Sequence, residues 1–148
     1  NAATLAGFGL ANANCGLAHA LAHSLGGVFH PPHGRTTSVF LPYTTEYIIR
    51  EAPERYADIA RFLGLPGTTD QERAQALVAA IRELRAQVGH PVSVKDLNVP
   101  EAGFRDNLAH MVESAQQDAT MFNAARVPPT DDVERLFEYA YAGQPVDF

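Results

Sequence analysis

The chain has 148 residues, 46% of them hydrophobic and 19% charged, with a formal net charge of -6. That length suits one domain with its own core, and an acidic balance without a Lys/Arg cluster excludes binding to a nucleic-acid backbone. No apolar run reaches the roughly eighteen residues of a membrane span, and the single cysteine, Cys15, excludes an internal disulfide and fits a reducing, cytoplasmic setting.

Residues 1–25 are almost uncharged and rich in Ala, Gly, Leu and Asn. They read as one long helix with no polar face, buried all round, either central to a bundle or packed against chain outside this sequence. Apolar surface left open along it predicts self-association. Cys15, in that run, reads as a buried core thiol. Gly26 and Gly27 are placed to stop the helix, and Pro31-Pro32 bar any helix through the following loop. A second helix is expected from Gly34 to Tyr47, kinked or interrupted at Pro42, with Val39, Phe40, Tyr43 and Tyr47 facing inward. Pro53 opens a third, Glu54 to Leu63, whose apolar face is Tyr56, Ile59, Ala60 and Leu63. Thr69 or Asp70 caps a fourth that runs to about Val88, striped by Ala74, Leu77, Val78, Ile81, Leu84 and Val88. Its arginines, Arg73, Arg82 and Arg85, read as a solvated face. Val92 to Val99 alternates like a strand, but with no second strand to pair it is an extended connection with a turn near Lys95 to Leu97. The fifth helix is Glu101 to Ala119, Thr120 to Val127 is a loop, and Thr130 caps a last helix that ends at Gly143. The fold class is all-α, an irregular bundle of about six helices, with residues 1–148 as a single domain.

Four of the six histidines, His19, His23, His30 and His33, lie between Gly16 and Gly34. His19 and His23 share one helix face, and a turn at Gly26-Gly27 could bring His33 back to it. Neutral imidazole is the commonest ligand for first-row metals. By spacing alone His19 with His23 is the best chelating pair, and a carboxylate is expected to complete the set. The alternative is that each imidazole satisfies a local hydrogen bond. His90 reads as a solvated loop residue and His110 as surface.

Gly16, His19, His23, Gly26, Pro32, His33 and Gly34 match the signature G-x-x-H-x-x-x-H-x-x-G followed by P-H-G. This stretch resembles the iron-containing (group III) alcohol dehydrogenase family. Ala3 to Gly16 resembles that family's lead-in helix, and Thr37 to Tyr47, with Pro42, its next helix. Ala124-Ala125-Arg126 stands where the family often carries Asn-Pro-Arg. The resemblance implies that the metal ligands are His19 and His33 rather than His19 and His23. It gives His23 a catalytic and cofactor-binding place beside the nicotinamide, and it gives Leu10 and the loop from Thr120 to Asn123 a place along the alcohol pocket. His30 is a candidate for a proton relay or a solvated loop imidazole. It further implies two more ligands, an Asp and a His, and a nucleotide-binding domain, all outside these residues, so that the chain is a C-terminal fragment.

The chemistry implied is hydride transfer between a small alcohol or aldehyde and NAD or NADP. Fe2+, or Zn2+ in its place, acts as Lewis acid on the alcohol oxygen, in a homo-oligomer, expected to be a homodimer. The isolated chain is then expected to be inactive. Two other readings compete: a maleylacetate-reductase-like, metal-free relative, and a free-standing helical binding module without catalysis.

Overall fold

The apolar residues Leu17, Leu21 and Leu25 recur at one-turn intervals and bury completely, placing a histidine-bearing helix at the centre of the molecule. The computed structural model describes all 148 residues and contains seven α-helices and no strand. They are α1 (Ala2–Ala13), α2 (Leu17–Phe29), α3 (His33–Ile49), α4 (Glu54–Phe62), α5 (Asp70–Gln87), α6 (Glu101–Gln117) and α7 (Thr130–Ala142). Two short 3-10 turns, Lys95–Leu97 and Ala119–Asn123, lie on either side of α6. α2 packs on α3, α6 and the second turn; α7 closes over α6 and α3, and α4 and α5 form an outer hairpin.

The core joins α2 to Phe40, Tyr43 and Tyr47 of α3, Phe104 and Met111 of α6, and Leu136 and Phe137 of α7. Phe40 meets Phe137 edge to face at 5.6 Å, and Phe104 stacks on Tyr141 at 4.3 Å. Each such side chain contributes about 1.5–3 kcal/mol by leaving water. Pro42 sits inside α3 without ending it. It cannot donate to the carbonyl one turn back, and the cost is spread over a helix held by ten buried side chains.

The expected first helix is two helices, which is why there are seven rather than about six. Asn14 takes a positive φ of 65° and Gly16 is extended, so the chain turns between α1 and α2. α1 has no buried residue at all, so its lack of charge does not reflect burial within this chain. Gly26-Gly27 do not stop α2. Mid-helix glycine costs only about 1 kcal/mol against Ala, and the helix continues to Phe29, where His30 turns left-handed (φ 55°) before Pro31. Cys15 is half-buried rather than in the core.

On α5 the stripe is real only at first: Ala74, Leu77 and Val78 bury, but Leu84 and Val88 are exposed. The face turned inward there belongs to the arginines. Arg85 is buried and donates to the Pro91 carbonyl. Arg82 grips both Glu46 oxygens and lies 4.8 Å from the centre of the Tyr43 ring. On α4, Ile59 and Leu63 are exposed while Ala57 and Ala60 face the bundle. Thr69 is the cap of α5, in a reciprocal box with Glu72. Thr130 starts α7 without capping it and instead accepts from Gln116.

Candidate functional site

Three imidazoles meet where α2 and α3 adjoin. His19 and His23 stand one turn apart on α2. Pro31-Pro32 reverse the chain so sharply that His33 becomes the first residue of α3. The ring centres form a near-equilateral triangle: His19 to His23 5.7 Å, His19 to His33 5.4 Å, His23 to His33 5.3 Å. Burial pushes the His19 pKa below its usual value, and positive charge on His33 or His23 would push it further down. Both effects favour the neutral imidazole at His19.

The second 3-10 turn brings a carboxylate to the cluster. Asp118 Oδ2 lies 2.7 Å from His23 Nδ1, and Asp118 Oδ1 accepts from the Thr120 amide at 2.8 Å and the Thr120 hydroxyl at 2.6 Å. Burial alone would raise the Asp118 pKa, but the hydrogen bonds from Thr120 and His23 hold it below the ordinary carboxylate value. An ionised carboxylate only accepts, so His23 Nδ1 carries the proton and Nε2 is left as the free ring nitrogen.

The triangle separates two clefts. An apolar cleft of about 450 Å³ is bordered by His19 and walled by Leu10, Leu41, Ile48, Tyr56 and Ile59, with Cys15 also on its wall. A polar cleft of about 280 Å³ is bordered by His23, Asp118, Ser24, His110 and Ser114. The three rings are about equally spaced, so distance alone singles out no pair of them as ligands. Two are fewer than the three or four protein ligands a divalent first-row ion takes, and no three His, Cys, Asp or Glu side chains converge as donors within the chain.

The sequence of residues 1–141 matches the family model "Fe-containing alcohol dehydrogenase family, C-terminal". The chain belongs to the iron-containing alcohol dehydrogenase family. It is 34% identical over 144 residues, 97% of its length, to the NADPH-dependent butanol dehydrogenase of Clostridium saccharobutylicum, and spans 37% of that relative. It is 37% identical over 142 residues to the 1,3-propanediol dehydrogenase of Citrobacter freundii, covering 95% of this chain and 36% of that one. Among solved structures, the alcohol dehydrogenase from Oenococcus oeni superposes with a TM-score of 0.83 at 35% identity, covering 93% of this chain and 35% of that one. The chain thus spans little more than a third of these relatives, and 18% of the aldehyde-alcohol dehydrogenase of Streptococcus pneumoniae that it also matches. The all-helical architecture is that of the C-terminal part of this iron-containing family.

Within this family member, His19, His23 and His33 come together, and Leu10 lines the apolar cleft beside His19. Of the loop from Thr120 to Asn123, Asn123 is on that cleft's wall, while Thr120 lies outside it with its amide and hydroxyl donated to Asp118. His30 is exposed at the end of α2. Arg126 lies 3.7 Å from the centre of the Tyr47 ring and donates to the Tyr47 carbonyl, so it anchors the loop after the second 3-10 turn. Sequence reasoning missed Asp118 as the partner of His23. Its signal was the Asp-x-Thr at the end of a helix, a pattern that caps a new turn through the carboxylate. His110 is exposed, as read, but it also borders the polar cleft.

Proposed function

We propose that residues 1–148 form the helical, metal-binding domain of an NAD(P)-dependent alcohol dehydrogenase that interconverts a small primary alcohol and its aldehyde. The observation that carries this reading is the triangle of His19, His23 and His33 set between an apolar and a polar cleft. His19 and His33 would hold Fe2+ or Zn2+ together with ligands from outside these residues, and the ion would supply Lewis-acid polarisation of the substrate oxygen. The nucleotide-binding domain that carries most of the NAD(P) contacts also lies outside them.

The chain's own residues divide the remaining work. His19, kept neutral by burial, ends the apolar cleft and points the substrate's reacting end at the cluster. Leu10, Leu41 and Ile59 offer the alkyl part an apolar wall. His23 is fixed by Asp118 through Nδ1, so Nε2 is the atom that orients the nicotinamide or carries the alcohol proton toward the polar cleft. Asp118 stabilises the imidazolium that forms, and Thr120 holds Asp118 in place.

The test is alcohol-dependent NAD(P) reduction by these residues assembled with their nucleotide-binding domain, with His23→Ala and His19→Ala beside the wild type. Activity that falls at least about a hundredfold in both variants supports the reading. Activity unchanged in both, or no turnover of any primary alcohol, contradicts it. The 148-residue chain alone is expected to be inactive.

A further inference from the structure

Two stretches far apart in sequence share the wall of the apolar cleft. One is Thr44, Thr45 and Ile48 of α3; the other is Asn123, Ala124 and Ala125, in and just after the second 3-10 turn. Arg126 directly follows the second stretch, and Tyr47 directly precedes Ile48. These two residues are joined. The Arg126 guanidinium lies 3.7 Å from the centre of the Tyr47 ring and donates to the Tyr47 carbonyl at 2.9 Å. Its Nε lies 3.0 Å from a carboxylate oxygen of Glu51, just past the end of α3. The Tyr47 ring is buried and its hydroxyl donates to Asp132 of α7 at 2.8 Å, so the guanidinium rests on a fixed surface. A flat cation stacked on an aromatic face, with its fork of N–H donors spent on a carbonyl and a carboxylate, is a geometry that Arg can make and Lys cannot. The backbone beside this contact has a property of its own. Ala124 stands at φ -74°, ψ 142°, the extended conformation that a residue before proline adopts. The Ala125 amide donates no backbone hydrogen bond, and Ala125 is exposed. Position 125 would therefore accept proline, yet it carries alanine, so no ring stiffens the chain there.

We infer that Arg126 is a positioning residue for substrate binding: by clamping Tyr47 it holds Asn123, Ala124 and Ala125 against α3 and so sets the width of the apolar cleft. The inference rests on the dehydrogenase reading and adds to it a residue that shapes its substrate site. Arg126 is not on the wall itself, so it acts through the residues it holds. The wall meets the alkyl part of the substrate, which is the same in the ground state and the transition state. Loosening the wall therefore removes uniform binding, and its cost falls on KM while kcat is kept.

The experiment is steady-state oxidation of 1-butanol at saturating NAD(P) by these residues assembled with their nucleotide-binding domain. Arg126→Ala is expected to raise KM about tenfold, the scale of one methylene contact in an apolar pocket, with kcat within about twofold of wild type. Arg126→Lys keeps a charge for Glu51 but loses the flat stack, and should raise KM nearly as far. Ala125→Pro added to Arg126→Ala should return most of the lost KM, because the ring stiffens the same stretch of backbone. Arg135→Ala removes a guanidinium stacked on Phe148, neither of them on the wall, and should leave KM as in wild type. Circular dichroism checks that each variant is folded, and if Arg126→Ala is not, Arg126→Lys with and without Ala125→Pro carries the same comparison. KM unchanged in the Arg126 variants, a loss confined to kcat, or a raised KM that Ala125→Pro leaves in place overturns the inference. A wild type that oxidises 1-butanol while the Arg126 variants match it defeats this inference alone. A wild type without turnover of any primary alcohol defeats the dehydrogenase reading, and this inference with it.

Discussion

The Asp118 carboxylate holds the His23 ring through a 2.7 Å hydrogen bond that joins residues 95 positions apart. The bond ties the histidine-bearing α2 to the 3-10 turn after α6, and it fixes which ring nitrogen carries the proton. Asp118→Asn is expected to release that tautomer preference, visible as a shift of the His23 ring nitrogens in 15N spectra, while still accepting from Thr120. Asp118→Ala removes the turn's cap as well and should cost about 1–2 kcal/mol in denaturant unfolding. A His23 spectrum unchanged in Asp118→Asn would mean that the pair does not set the tautomer.

The start of α5 gives a pH prediction. Glu72 accepts from the Thr68 hydroxyl and amide and from the Thr69 amide, and these bonds hold its carboxyl down to about 2. A depressed native pKa means that the unfolded state binds more protons, so stability rises with pH across the interval. The contribution is complete above the ordinary value of 4.5 and is lost as the pH falls from there toward 2. Glu72→Gln should flatten this part of the acid limb in unfolding midpoints measured from pH 5 to pH 2. Thr69→Ala should cost about 1 kcal/mol at neutral pH through the lost cap. An acid limb identical in Glu72→Gln and wild type would show that the box does not persist in solution.

Much of this was readable from the sequence, and the failures share a cause. Amphipathic stripes on α6 and α7 bury as their period predicts, with Phe104, Leu108, Met111 and Val112 on one and Val133, Leu136 and Phe137 on the other. The histidine signature located the cluster because proline-enforced reversal is a local property. Tertiary facts were not local. Arg85 buries because a loop carbonyl waits for it, and Asp118 finds His23 only after α6 has packed on α2. α1 misled because an uncharged helix carries the same pattern whether it is covered or open.

That open helix gives its own prediction. Leu5 and Phe8 are 68% and 65% exposed, and α1 buries nothing. Sedimentation of the 148-residue chain should show mass rising with concentration, and Leu5→Glu with Phe8→Glu should suppress it. Because neither residue touches the core, unfolding free energy should stay within about 0.5 kcal/mol of wild type. A wild type that stays monomeric at all concentrations would refute the expected self-association.

One carboxylate, Glu46, is among the groups that hold the last segment. Glu46 accepts from the Val146 amide at 2.9 Å while paired with Arg82, and Arg50 reaches the Val146 carbonyl. Glu46→Ala is expected to speed hydrogen exchange at the Val146 amide strongly, while amides inside α2 keep their protection. Equal protection at Val146 in variant and wild type would show that aromatic packing of Phe148 on Tyr139, not Glu46, holds the end in place.

The central claim is that His19 and His33 hold a catalytic metal ion. Its most direct test is elemental analysis for iron and zinc on anaerobically purified protein assembled with its nucleotide-binding domain, as wild type, His19→Ala, His33→Ala and His110→Ala. Close to one ion per chain is expected in wild type and in His110→Ala, and loss of it in both His19→Ala and His33→Ala. Metal content unchanged in those two variants, or no metal in wild type, would contradict it.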